Sequence, residues 1–224
     1  MTARRLDVDG LGLDLSGRSV LDGVTLAAEA GGLLAVSGPS GAGKSVLLLV
    51  VAGLLAPTRG RVLLDSAPAA AAGFGTRDRF GLILETPGLV AELTAHENVA
   101  LPLQARGLER RAVGRRCADA LDSVGLSDVG DRLADELSGG QRQRVGVARA
   151  LAGSPDVLLA DEPTAELDAE NRTRILALLS ELATEHVVVV ASNDPEVTEA
   201  CDRVVSLRDG RVVDPGGPAA DGDR

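Results

Sequence analysis

The sequence predicts an α/β fold: a P-loop core of mainly parallel sheet, fronted by an N-terminal antiparallel β-layer and interrupted by an inserted α-helical subdomain. Three observations carry that prediction. Residues 38–45 read GPSGAGKS and lie between two apolar runs, Leu33-Leu34-Ala35-Val36 and Val46 to Ala52. Short apolar strands alternate with helical stretches towards both ends of the chain. Between residues 86 and 152 that alternation gives way to consecutive helical patterns.

In chain order, Arg4 to Val8, Leu11 to Leu15 and Val24 to Ala28 read as short strands punctuated by Gly10, Gly17 and Gly23. The buried strand Leu33 to Val36 leads into the glycine-rich loop, and an apolar helix leaves it. Pro57-Thr58-Arg59-Gly60 turns the chain into strand Arg61 to Leu64, and the alanine-rich residues 66–79 read as a surface loop. Strand Phe80 to Leu84 stops at Glu85-Thr86-Pro87-Gly88. Helices are expected over Ala95 to Leu101, Glu109 to Val124 and Ser138 to Leu151. Alternation resumes with strand Asp156 to Ala160, helix Ala169 to Ala183, strand Val187 to Ala191, helix Pro195 to Ala200 and strand Val204 to Leu207. The expected organisation is one domain over 1–214. Residues 1–85 and 153–214 form its core, 86–152 the helical subdomain, and the Gly/Pro/Asp-rich 215–224 a disordered tail.

Composition narrows the function classes. Aromatic residues are 1% of the chain, Phe74 and Phe80 alone, so no Trp or Tyr is available to stack on a base. A net charge of −10 argues against nucleic acid as a general partner. Cys117 and Cys201 have no paired spacing and read as reduced structural thiols. The N-terminus lacks the apolar stretch of a signal peptide, and no run approaches ~20 apolar residues, so no direct membrane insertion is expected.

Three motifs carry chemistry. In Gly38-Pro39-Ser40-Gly41-Ala42-Gly43-Lys44-Ser45 the glycines let backbone N–H groups turn towards phosphate oxygens, and the helix N-terminus adds positive potential. Lys44 supplies a point charge for the outer phosphates, and the Ser45 hydroxyl is placed to ligate Mg²⁺. This is a nucleotide site. Val157-Leu158-Leu159-Ala160-Asp161-Glu162 is an apolar strand ending in two carboxylates. In a parallel sheet its C-terminal end faces the phosphates, where Asp161 can hold Mg²⁺ and Glu162 can take the proton of an attacking water. Leu137-Ser138-Gly139-Gly140-Gln141 opens a helix that Ser138 can cap and whose glycines let a ligand approach closely.

Together these motifs resemble the ATP-binding subunit of ATP-binding-cassette (ABC) transporters, from about residue 5 to 214, with LSGGQ at 137–141 as the family signature. The resemblance implies the ABC ATPase fold, with ATP and Mg²⁺ as cofactors. It implies a second cassette, identical or not, arranged head to tail, so that Ser138, Gly139, Gly140 and Gln141 complete the partner's site. Closing of that sandwich would drive a transmembrane permease, holding the chain at the cytoplasmic face of the cell membrane. Ala165-Glu166-Leu167-Asp168 matches the dimer-contact loop. LTAHENVALPL at 93–103 is similar to the lipoprotein-release, macrolide-export and cell-division cassettes, which tilts the expectation towards export.

The departures from the family pattern bear on rate. Glu85 stands where the family has a Gln that contacts Mg²⁺ and the attacking water. A carboxylate can ligate the metal but adds negative charge and cannot donate a hydrogen bond. Asn193 stands where the family has a His that holds the γ-phosphate, and Leu15 stands where an aromatic usually stacks on adenine. His96 and His186 read as surface residues that do not fill the gap. The expectation is firm ATP binding with attenuated hydrolysis, Glu162 acting as base beside Glu85 and Asn193. The alternative is a non-hydrolysing subunit that gates a partner by nucleotide occupancy. A DNA-repair ATPase of the same signature class would need long heptad inserts, which are absent, and a small-molecule kinase would leave LSGGQ without a role.

Overall fold

The computed structural model describes residues 4–69 and 78–214. The N-terminal layer is a four-stranded antiparallel sheet ordered β2-β1-β4-β5, with β1 Arg5–Leu15, β2 Arg18–Glu29, β4 Arg59–Leu64 and β5 Ala67–Pro68. The expected pair of strands on either side of Gly10 is one continuous β1. Gly10, at φ +58°, forms a bulge where the register shifts between Val8 and Leu11, so the glycine bends the strand instead of ending it. Gly23, at φ +70°, is likewise carried inside β2. A turn does form at Ser16-Gly17.

The second sheet has six strands in the order β10-β9-β3-β8-β7-β6. Five run parallel: β3 Leu33–Ser37, β6 Phe80–Ile83, β7 Val157–Asp161, β8 Val187–Ala191 and β9 Arg203–Arg208. β10, Arg211–Asp214, adds antiparallel to β9 and was not expected from the sequence, because its short run carries a single apolar pair, Val212-Val213.

Both faces of the central strands are covered, which is why they read as unbroken apolar runs. Leu34, Val36, Val157, Leu159, Val187 and Val189 face the antiparallel layer and helix α1, Lys44–Val51. Leu33, Ala35, Leu158, Ala160, Val188 and Val190 face the remaining helices. These are α2 Ala95–Ala105, α3 Arg110–Ser123, α4 Gly139–Leu151 and α5 Ala169–Leu182; a short α6, Pro195–Glu199, also packs its Val197 into that core.

Between β6 and β7 the chain is helical, as expected, with boundaries moved by packing and capping. α2 continues past Pro102 because Leu103, fully buried, belongs to the core. Thr94 and Glu97 close a capping box at its start. Two 3₁₀ turns, Ser127–Val129 and Ala134–Glu136, connect α3 to α4. The loop call over 66–79 lies largely outside the described residues, as does the tail at 215–224. Burial pushes the Cys117 thiol up to about 11 and that of Cys201 to about 12, so both stay protonated at neutral pH.

The two sheets are joined at Asp22, whose carboxylate accepts from Arg211 of β10 and Arg59 of β4. Arg211, then Arg59, hold this carboxyl below the usual carboxylate range. A depressed folded-state pKa contributes stability above the unfolded value, about 4, and loses it as pH falls through the folded value. Asp22→Asn is therefore expected to be less stable at neutral pH, and to lose less stability on acidification than the parent. Denaturant melts at neutral pH and below about pH 4 read both effects.

Candidate phosphate-binding and hydrolytic site

The carboxyl ends of β3, β7 and β8 lie side by side, so the segments that follow them meet at one edge of the sheet. After β3 the chain cannot carry a side chain at Gly38, where a Cβ would stand 2.1 Å from the Leu207 carbonyl. It then wraps through Gly41 and Gly43, at φ +81° and +101°, into the N-terminus of α1. The hairpin between β9 and β10 supports this loop from behind: Gly210 N–H donates to the Ala42 carbonyl at 3.0 Å.

The loop frames a cleft of about 380 Å³ lined by Ser40 to Val46, Val20, Glu85, Glu162, Ala165 and Asn193. Lys44 is only 7% exposed; its ammonium donates to the Gly38 carbonyl at 2.8 Å and lies 3.5 Å from Glu162 Oε1. Asp161, at the end of β7, sits beneath the cleft. Burial pushes its carboxyl up, against a hydrogen bond from Ser45, and Oδ1 is buried without a partner. Glu162 turns the chain at φ +42°, a conformation a side chain rarely adopts. Its Oε2 accepts from the Ser192 hydroxyl at 2.7 Å and its Oε1 from Asn193 N–H at 3.1 Å.

These features fit a divalent cation arriving with phosphates. Among the described residues no group of three His, Cys, Asp or Glu could hold a metal by itself. A hydroxyl beside one orphaned carboxylate oxygen suits Mg²⁺, which typically takes one or two carboxylates and completes its shell from phosphate and water.

The loop carrying Glu85 is fastened to α4. Gln143 Nε2 donates to the Leu84 carbonyl at 3.1 Å, and Arg149 donates to the carbonyls of Pro87 and Gly88. Gly146 lets Pro87 approach so closely that a Cβ there would lie 3.2 Å from the proline ring. Glu85 itself is exposed and reaches the cleft.

Of the residues expected from the sequence, Ser40 to Ser45, Glu85, Glu162 and Asn193 come together, and Gly38 and Asp161 support them from behind. Pro39 precedes the lining stretch. Ser138, Gly139, Gly140 and Gln141 stand apart, at the start of α4, where Ser138 and Gln141 close a capping box. There Gly140 packs against Asn171, whose carboxamide would lie 2.1 Å from a Cβ at that position; Asp168 in turn accepts from Asn171. Leu15 is exposed and does not line the cleft, whereas Val20 does. The two histidines are half-buried rather than surface residues and neither lines it: His186 Nδ1 lies 2.9 Å from the Pro155 carbonyl, and His96 faces a separate cleft with Asp119, Asp122, Asp128 and Asp131. Reading the sequence did not single out Val20, Gln143, Arg149 or Ser192; only Ser192, beside Asn193 at a strand end, carried a signal that could have done so.

Comparison with known proteins gives concordant results. The model of a family described as ABC transporter matches residues 21–165. The chain is 42% identical over 207 residues to the methionine import ATP-binding protein MetN of Caulobacter vibrioides, covering 89% of this chain and 62% of that one. It is 38% identical to the uncharacterized ABC transporter ATP-binding protein YvrO of Bacillus subtilis, covering 87% of each. It thus spans about six-tenths of the methionine-import relatives. Among solved structures, cbiO1 of Clostridium perfringens, part of the transporter complex cbiONQ, superposes with a TM-score of 0.85 at 30% identity over 95% of this chain and 88% of that one. The cassette MJ0796, solved as a post-hydrolysis dimer with ADP and Pi, gives 0.80 at 30% identity over 96% and 98%.

The Arg149 guanidinium spans two loop carbonyls, and burial lowers its pKa. Arg149→Lys keeps the charge but cannot span both acceptors. It is expected to cost about 1–3 kcal/mol in denaturant unfolding and to speed amide hydrogen exchange over residues 84–90, with β3 and β8 unaffected.

Proposed function

We propose that this chain, which belongs to the ABC transporter family of ATP-binding proteins, binds Mg²⁺-ATP, pairs with a second cassette and drives a membrane permease at slow intrinsic turnover. The observation that carries the reading is the convergence of Lys44, Ser45 and Glu162 on one cleft, with Asp161 behind them against Ser45, while the 138–141 segment stands outside it. A segment so placed, with its helix N-terminus open to approach, suits a site completed by another copy or a homologous cassette. That MJ0796 was solved as a dimer with ADP and Pi is in keeping with pairing of two cassettes.

In this reading the 38–45 backbone and Lys44 hold the phosphates, with Pro39 and Ser40 shaping the loop's approach. Ser45 and Asp161 hold Mg²⁺, with Glu85 able to join them. The cation supplies charge neutralisation on the phosphates. Glu162 takes the proton of the attacking water. Ser138, Gly139, Gly140 and Gln141 serve the partner's nucleotide, and Val20 offers the base or ribose an apolar contact in place of stacking. Among the described residues no helix is long and apolar enough to cross a membrane. In this reading a permease is the chain's partner and holds it against the membrane's inner face.

The stretch at 93–103 resembles export cassettes. The methionine-import relatives are named as importers, and import is the direction we adopt for this chain. Transport by the reconstituted complex with its permease, assayed in both directions, tests it.

The attenuated rate rests on Glu85 and Asn193, which line the cleft beside Glu162. Glu85 cannot donate to the attacking water, and Asn193 offers a neutral amide where charge develops on the phosphate. Losing one such contact costs about 10² in rate. The double variant Glu85→Gln/Asn193→His is expected to raise kcat at least about tenfold. Steady-state phosphate release measures it, and brisk parental turnover or no gain in the variant refutes attenuation. A complete lack of turnover even with the permease bound would instead favour gating by nucleotide occupancy.

A further inference from the structure

We infer that Ser192 is a positioning residue for Glu162, its buried hydroxyl setting the direction in which that carboxylate faces the cleft. The inference rests on the reading of Glu162 as the base. Ser192 is 1% exposed and follows directly on β8. Its backbone N–H donates to the Val36 carbonyl at 3.1 Å, which ties it to the strand that enters the phosphate loop. Its Oγ accepts from Asp194 N–H at 3.1 Å and donates to Glu162 Oε2 at 2.7 Å. A serine hydroxyl has one proton to give. Of these two partners the Asp194 N–H can only donate, so that proton goes to Glu162.

The rest of the grip on Glu162 comes from the same short segment. Asn193 N–H donates to Oε1, and Glu162 N–H donates to the Ala191 carbonyl at 2.8 Å. Lys44, at 3.5 Å, approaches Oε1 from the loop side. One carboxylate oxygen therefore faces the phosphate lysine, and the other is held by Ser192. A glutamate side chain has three rotatable bonds and wanders when its carboxylate is free. Water attack needs the base within hydrogen-bond reach of one point. The Asn193 contact is made by the backbone and is the same for any residue there, so Ser192 supplies the side-chain donor that orients the base.

The experiment is single-turnover ATP hydrolysis with the full chain in excess, so that slow cleavage is readable, on the parent, Ser192→Ala, Ser192→Thr, Ser192→Val and Glu162→Gln. Thr and Val have the same shape, and only Thr keeps the hydroxyl. The rate constant is expected to fall about tenfold or more in Ser192→Ala and Ser192→Val. Half-saturation by ATP should stay within about twofold, and Ser192→Thr should recover most of the rate. Equal rates in the Thr and Val variants, or a loss expressed in half-saturation and not in rate, overturns the assignment. If Glu162→Gln is inactive while Ser192→Ala and Ser192→Val cleave at the parental rate, only the role of Ser192 falls. If Glu162→Gln cleaves like the parent, or the parent does not cleave at all, the reading of Glu162 falls and the proposal with it.

Discussion

A buried ammonium sets the terms for this molecule. Lys44 has lost nearly all contact with water, and an ion moved out of water costs several kcal/mol unless the protein replaces its hydration. Here the replacement is one backbone carbonyl, Gly38, and one carboxylate, Glu162, at a longer distance. Neither neutralises the charge as a salt-bridged pair in close contact would, so the ammonium stays available to a stronger anion. Gly38 must lack a side chain so that its carbonyl can turn back on Lys44 while its α-carbon passes Leu207.

That requirement explains the strand order. β3 carries the loop, β8 is its neighbour and β7 the next strand, all parallel. Parallel strands end on the same edge, so the loop after Ser37, the Asp161-Glu162 pair and the Ser192-Asn193 pair converge without a long insertion. The orphaned Asp161 oxygen and the left-handed backbone at Glu162 are local costs in that convergence. They are offset by two parallel-sheet faces packed with Val, Leu and Ala, a core that forms with almost no aromatic residue.

The helical segment contributes in a different manner. It meets the cleft through the loop at Glu85, and that loop is held to α4 by Gln143, Gly146 and Arg149, which share one face at three-residue spacing. The same helix begins with Ser138 to Gln141. The Glu85 loop and the 138–141 segment are therefore attached to one helix. The contact of Gly140 with Asn171, and of Asn171 with Asp168, ties that segment to the start of α5 as well.

Much of this was legible from residues alone, because the signals were local. A glycine-rich loop between an apolar strand and an apolar helix, a strand ending in two acids, and a capped Gly-Gly helix each depend on neighbours a few positions away. The matching family extends those local signals over most of the chain. What escaped was set by partners distant in sequence. Gly10 reads as a turn, yet pairing of β1 with both β2 and β4 keeps the strand continuous through it. β10 has too little apolar character to declare itself and exists because β9 offers a free edge. Val20, not Leu15, reaches the cleft because the bulges of β1 and the turn at Ser16-Gly17 decide which side chain points there. By itself the sequence determined the chemistry available: which residues could hold phosphate and a cation. Only the tertiary structure decided which groups meet, because contacts such as that of Ser192 with Glu162, thirty positions apart, exist only once parallel pairing brings the strand ends together.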